Sequence, residues 1–485
     1  MSLLIKEVFV VDGEGNAPYK ADVLVQNNVI SAIGNLKGKH SSEIIDGLGN
    51  YLTPGFIDVN STSDHYLTLF NGEGENNFGV QGVTTIIGGM CGASLAPIIY
   101  GSLESISKWT NLDNVNVNWH TVREFLNSLD KVKLKINFGT LVGHGTIRRA
   151  ITGNEKRNLT IKELWVFKRL LNQALSEGAY GLSTGLGFIS GRETPYEEIR
   201  ELVGIIKKYD GVYATHLRND KDKISESVEE TIKIAKTSNV KTIISHFEPN
   251  LGFEKEYEEA LTKIRDANLD NLYFDIHGHD SREISIYKLL PVWAQKENLE
   301  TMFEILKNKD NYKKIVKDLK FLNPGDVTIS HAPTQKFLEG KNLWQMMENY
   351  GLSAAESLLK VMDMTNMKAT VFYKNINPEL FKTLIKEKNA LIGSSSNSTT
   401  EKSNPTFSKF LRTVMQSDLM PIETAVKKVT SEPAKIFSIK DRGVIKYGKK
   451  ADLVVIGKND YEAKEVIIGG KRLSKGSNAE ILRHK

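Results

Sequence analysis

The chain has 485 residues, 40% hydrophobic and 25% charged, the balance of a globular protein with room for more than one core. Its 64 basic and 59 acidic residues leave a formal charge of +5, too small over this length to imply a nucleic-acid partner. A single cysteine excludes an internal disulfide, and no apolar run reaches membrane-spanning length. With no cleavage-site pattern in the first residues, the expectation is a cytoplasmic protein with no membrane partner.

Alternating apolar residues predict short antiparallel strands at Leu4–Val11, Asp22–Gln26 and Val29–Gly34, separated by turn residues such as Asp12-Gly13. Near the C-terminus the same character returns at Arg442–Gly448, Ala451–Ile456 and Glu465–Gly470. Residues 1–50 and 436–485 are therefore expected to build one small β-sandwich, with residues 51–435 inserted between its halves.

The middle alternates strand and helix. Expected strands are Gly55–Val59, Val83–Gly88, Lys135–Gly143, Gly181–Thr184, Val212–His216, Thr242–His246, Asn271–His277 and Ala390–Ser394. Helical patterns lie between most of them, for example Thr160–Glu177 and Lys223–Thr237. Eight such units predict an α/β protein of the (β/α)8 TIM-barrel type, with its chemistry at the C-terminal ends of the strands. Residues 281–389 are too long for one crossover and are expected to form a helical cap.

Three strand tips carry metal-ligand chemistry. The β-branched run Val83–Ile87 leads into Gly88-Gly-Met-Cys91-Gly, while His216 and His246 each end an apolar strand. One thiolate and two imidazoles make a zinc-type ligand set.

Several motifs resemble the N-acyl-D-amino-acid deacylases, the D-aminoacylase branch of the amidohydrolase superfamily. They are Pro54-Gly-Phe-Ile-Asp-Val, Cys91-Gly-Ala-Ser-Leu-Ala-Pro, Leu141-Val-Gly-His-Gly-Thr-Ile-Arg, Tyr213-Ala-Thr-His-Leu-Arg-Asn and Gly448-Lys-Lys-Ala-Asp-Leu-Val-Val. The resemblance spans nearly the whole chain in order. It implies zinc on Cys91, His216 and His246, hydrolysis of a C–N amide bond by activated water, and a small N-acyl amino acid or related amide as substrate. It also implies a His-x-His after the first strand and an aspartate base after the eighth. Here those positions are Asn60-Ser61-Thr62 and Ser395, and a lysine expected two residues beyond the second ligand histidine is Glu248.

A new cluster, His277-Gly-His279-Asp280, stands on the seventh strand tip. Two readings follow. In one, His277 joins the metal ligands and Asp280, Glu248 or His279 replaces the base, with Arg218 and Arg192 receiving a substrate carboxylate. In the other, the loss of several catalytic parts together marks an inactive binder or assembly subunit on the same scaffold. Of the remaining polar residues, His144 is expected to shape a loop through a backbone hydrogen bond, Asp58 to anchor loops, and His65 to lie on the surface.

Overall fold

A computed structural model describes residues 2–70, 78–99, 117–153, 155, 157–277, 281–296, 299–333, 335–395 and 406–485. The chain begins with β1 (Ser2–Val10), β2 (Tyr19–Gln26), β3 (Val29–Gly34), β4 (Glu43–Asp46) and β5 (Tyr51–Pro54). A register break between Ile5 and Val8, with Glu7 at φ 53°, bends β1 in the middle. Its first half pairs in parallel with β4 and its second half with β5, so a single sheet curls into two layers.

The next strands build a barrel: β6 (Phe56–Asp58), β7 (Val83–Gly88), β8 (Asn137–Thr140), β9 (Val142–Gly143), β10 (Gly181–Gly185), β11 (Val212–His216), β12 (Lys241–Ser245) and β13 (Leu272–Ile276). The expected strand Lys135–Gly143 is two pieces, β8 pairing with β7 and β9 with β10. These strands hydrogen-bond in parallel, and their residues alternate between two cores. Ile243 joins Ile57, Ile87, Val212, Ala214 and Leu391 inside the barrel, whereas Ile244 joins Phe138, Tyr213 and Phe274 under the helices. Burial on both faces explains the nearly unbroken apolar runs. Each such aliphatic side chain contributes roughly 1.5–3 kcal/mol. Phe437, Ile439 and Leu482 belong to the interior cluster too, so the barrel is packed rather than hollow.

The insertion departs from expectation. It is not a purely helical cap: β14 (Arg282–Ser285), β15 (Val327–His331) and β16 (Thr370–Tyr373) form an antiparallel sheet in the order β14-β16-β15. The sheet packs with the helices Leu343–Tyr350 and Ala354–Met364 around a separate core that includes Ile286, Ile329, Met346, Leu358 and Val371. Short strands separated by forty residues pair only through this core, so local periodicity did not reveal them. The helix Pro378–Lys386 buries Leu380, Phe381, Leu384 and Ile385 in the barrel's own core, so the inserted unit ends before residue 389.

After it, β17 (Ala390–Ile392) pairs with β13, and Ser395 N–H donates to Asn60 O at 2.7 Å, closing the ring back to the first strand. The chain finishes with β18 (Leu453–Ile456), β19 (Ala463–Ile468) and β20 (Lys471–Arg472), which extend the N-terminal sheet by β18 pairing with β5. Arg442–Gly448, expected as a strand, is irregular. Its backbone docks by Ile445 N–H to Asp12 O, while the Arg442 side chain is buried.

Candidate metal centre

The turn after β7 aims Cys91 inward because two glycines let the backbone tighten. Gly89 has φ 72° and Gly92 φ 77°, and a Cβ on Gly92 would sit 2.6 Å from Gly185 N. Cys91 itself has φ 54° and His246 φ 60°. Both non-glycine residues thus hold a left-handed conformation at strand tips, a local cost accepted where side-chain direction matters.

The outcome is convergence. Cys91 Sγ lies 3.0 Å from His246 Nε2 and 3.8 Å from His216 Nδ1, and the three ligand atoms fall within 4.8 Å of one another. The donor set fits zinc: a soft thiolate and two borderline imidazoles from three strands. Burial weighs against charge on His246, yet the Cys91 sulfur and the Glu248 and Asp275 carboxylates hold its imidazolium well above the usual histidine range. His216 goes the other way, pushed well down by burial with Lys288 and His246 nearby.

His277 stands beside this group, its ring T-shaped to His246 at 5.3 Å between centroids. Its Nδ1 contacts Glu248 Oε1, while its Nε2 has no partner although the residue is only 3% exposed. Glu248 is wholly buried. Burial opposes its charge, but His277 and His246 outweigh that and hold its carboxyl well below the usual range. Arg282 backs it at 3.9 Å and reaches Asp220 at 3.4 Å. Asp275, two residues before His277 and so on the same strand face, accepts the His246 N–H at 3.1 Å and an Asn60 Nδ2–H at 3.0 Å. Asp58 accepts from the Ser394 N–H and hydroxyl and from the Asn60 N–H, tying the eighth strand to the first.

A cavity of about 70 Å³ opens above the ligands. Its floor is Cys91, His216, His246 and His277; Phe188 and the insertion's Arg282, Glu283 and Lys288 form part of its wall. Glu283 accepts the hydroxyls of Ser330 at 2.7 Å and Thr370 at 2.8 Å, and burial raises its pKa. Lys288 Nζ lies 4.1 Å from the Phe188 ring centroid, and burial lowers its pKa to about 8.

Several expectations are corrected. Arg218 places its guanidinium on Glu230 at 2.7 and 3.1 Å and on the carbonyls of Arg192 and Thr194, so it braces a loop. Arg192 is exposed and donates to Gly187 O at 3.4 Å. Glu248 lies against His277 and is not among the residues lining the cavity. His65 is buried at 1% exposure and lines the cavity. His144 meets Glu198 Oε1 at 2.8 Å instead of backbone. His279 and Asp280 lie outside the described residues. Reading the sequence missed Asp275, whose two-residue spacing from His277 was the available signal, and missed Arg282, Glu283 and Lys288, which carried none.

The Amidohydrolase family profile matches residues 120–473. D-aminoacylase of Alcaligenes xylosoxydans xylosoxydans is 27% identical over 93% of this chain and 87% of its own length. N-acyl-D-glutamate deacylase of the same organism is 24% identical over 94% and 87%. In structure, the N-acyl-D-glutamate deacylase of Bordetella bronchiseptica, solved with zinc and a phosphonate inhibitor, superposes with a TM-score of 0.81 at 22% identity over 99% of both chains. Among the described residues no helix is long and apolar enough to cross a membrane.

Proposed function

This chain belongs to the amidohydrolase family, in its D-aminoacylase branch, and from that premise we propose that it hydrolyses the amide bond of a small N-acyl amino acid. The observation that carries this reading is the meeting of Cys91, His216 and His246 beneath a small cavity. These three side chains would hold zinc, which when bound would polarise an amide carbonyl and acidify water. Asp275 fixes the His246 backbone, keeping the ring over the Cys91 sulfur.

The expected aspartate is Ser395, whose hydroxyl cannot take a proton near neutral pH. Glu283 is the described carboxyl on the cavity wall. Its raised pKa, set by burial, suits it to accept a proton from water and return it to the leaving nitrogen. Lys288 has no carboxylate within ion-pair reach among the described residues, and it receives the carboxylate of the substrate. The inactive-scaffold reading loses much of its motive, because Glu283 from the insertion lines the same cavity as Ser395 and supplies a carboxyl to it. The lone reduced Cys91 as a ligand suits a reducing compartment such as the cytoplasm.

The test is a panel of N-acyl-D- and N-acyl-L-amino acids offered to zinc-loaded protein. Hydrolysis that disappears in Cys91→Ala together with the bound zinc supports the reading. Full zinc loading with no turnover of any panel member sinks it.

A further inference from the structure

A second cavity, of about 640 Å³, lies where β13 and β17 begin, whereas the candidate metal centre lies beyond where they end. Cavities of that size hold ligands as large as a nucleotide. Five lysines line it, Lys386, Lys388, Lys427, Lys428 and Lys435, against two carboxylates, Asp270 and Glu432. Both carboxylates are taken: Asp270 pairs with Lys388 at 3.0 Å and Glu432 with Lys427 at 3.2 Å. Among the described residues, Lys386, Lys428 and Lys435 have no carboxylate within ion-pair reach.

Lys428 sets this cluster apart from a solvated lysine patch. It stands on the helix Ile422–Val429 at 6% exposure, and its Nζ donates to the carbonyls of Glu387 and Ala390 at the head of β17. An ammonium has three N–H bonds, so one is left without an acceptor among the described residues. The Glu387 carboxylate does not answer it, being held by Arg265. Burial brings the Lys428 pKa down to about 8, against the pull of Glu432 and Glu387. A lysine in a last helical turn offsets the terminal carbonyls, which accounts for Lys386, Lys427 and Lys435. It does not account for burying Lys428 beside them, because a buried charge is ordinarily paired. Leu269, Leu272 and the Tyr273 ring supply an apolar part of the wall, and Tyr273 Oη is fixed by donating to Asp270 O at 2.8 Å.

We propose that this cavity binds a small phosphorylated molecule of nucleotide size, its phosphates on Lys386, Lys428 and Lys435 and its organic body against Leu269, Leu272 and Tyr273. Lysine meets phosphate as a point charge, and three cations without counter-ions call for more negative charge than one carboxylate brings. The site shares no residue with the candidate metal centre, so the proposal does not rest on the zinc reading.

Isothermal titration calorimetry of zinc-loaded full-length protein with pyrophosphate, ATP and adenosine tests it. Pyrophosphate and ATP should each bind at one per chain, ATP the more tightly, and adenosine should not bind. Lys428→Met should weaken ATP by roughly 10–100-fold. The double substitution Lys386→Ala and Lys435→Ala should weaken it as well while leaving the buried position intact, which keeps the test open if Lys428→Met fails to fold. Cys91→Ala, stripped of zinc, should bind ATP as wild type does. Failure of both phosphates to bind overturns the proposal, and so does an affinity unchanged by the double substitution. ATP no tighter than pyrophosphate, or adenosine equal to ATP, overturns the division of the wall between phosphates and body. Binding that disappears in Cys91→Ala also overturns it, by placing phosphate at the metal centre. A chain that holds no zinc yet binds ATP in this way refutes only the hydrolase reading, so the two failures are told apart.

Discussion

The two ends of the barrel treat buried charge in opposite ways. On the N-terminal face Arg442, 4% exposed, gives every arm of its guanidinium a partner: Asp452 at 2.8 Å, Asp441 at 3.0 and 3.1 Å, and Glu480 at 2.6 Å. Asp452 in turn accepts from Asn137 Nδ2 at 2.9 Å and from Gly469 N–H at 2.7 Å. That cluster joins the last strands to the barrel, and its donors and acceptors are closed on one another. At the C-terminal mouth, Asn60, Glu248, Asp275 and His277 are as deeply buried yet keep atoms without hydrogen-bond partners. A polar cluster that only holds a fold satisfies itself; one that waits for a ligand keeps lone pairs in reserve.

The contrast is breakable by substitution. Cys91→Ala has the largest expected effect: zinc content falls to background and hydrolysis with it, read by metal analysis and turnover on the same sample. Glu283→Gln comes next. It should lower kcat about 10²–10⁴-fold with zinc retained, because proton transfer and not metal binding is lost. If zinc is lost as well, Glu283 belongs to the supporting structure instead.

Arg442→Met probes the closed cluster. Leaving Asp452 buried without its cation should cost about 3–5 kcal/mol, seen as a lower urea midpoint, while the zinc content of the folded protein stays unchanged. Lys288→Ala should raise KM for an anionic substrate by roughly 10–100-fold with a smaller change in kcat, the value of one charge-assisted contact. The same residue gives a pH dependence. Lysine binds a carboxylate only when protonated, and burial brings its pKa down to about 8, so KM should climb as pH rises through 8. In Lys288→Ala that rise should vanish.

Much of the scaffold was legible because each barrel strand is a run of β-branched residues bounded by turn signals, and a parallel strand buried on both faces has no other composition open to it. Cys91, His216 and His246 were legible for the same reason: a residue at the end of such a run is carried to the barrel mouth. The Arg218 ion pair was not legible, because its carboxylate, Glu230, lies twelve residues on in the following helix.

The amino-acid order alone therefore determined the barrel, the terminal sandwich and the placing of Cys91, His216 and His246 at strand tips, since periodicity and turn chemistry are local. Tertiary structure decided the rest: that Glu283 and Lys288 overhang the cavity, that Glu248 turns behind His277, and that Asn60 and Asp275 meet across the first and seventh strands. Those placements depend on how an insertion with its own core docks and on how the ring closes. Both are long-range packing events, and no window of sequence contains both partners.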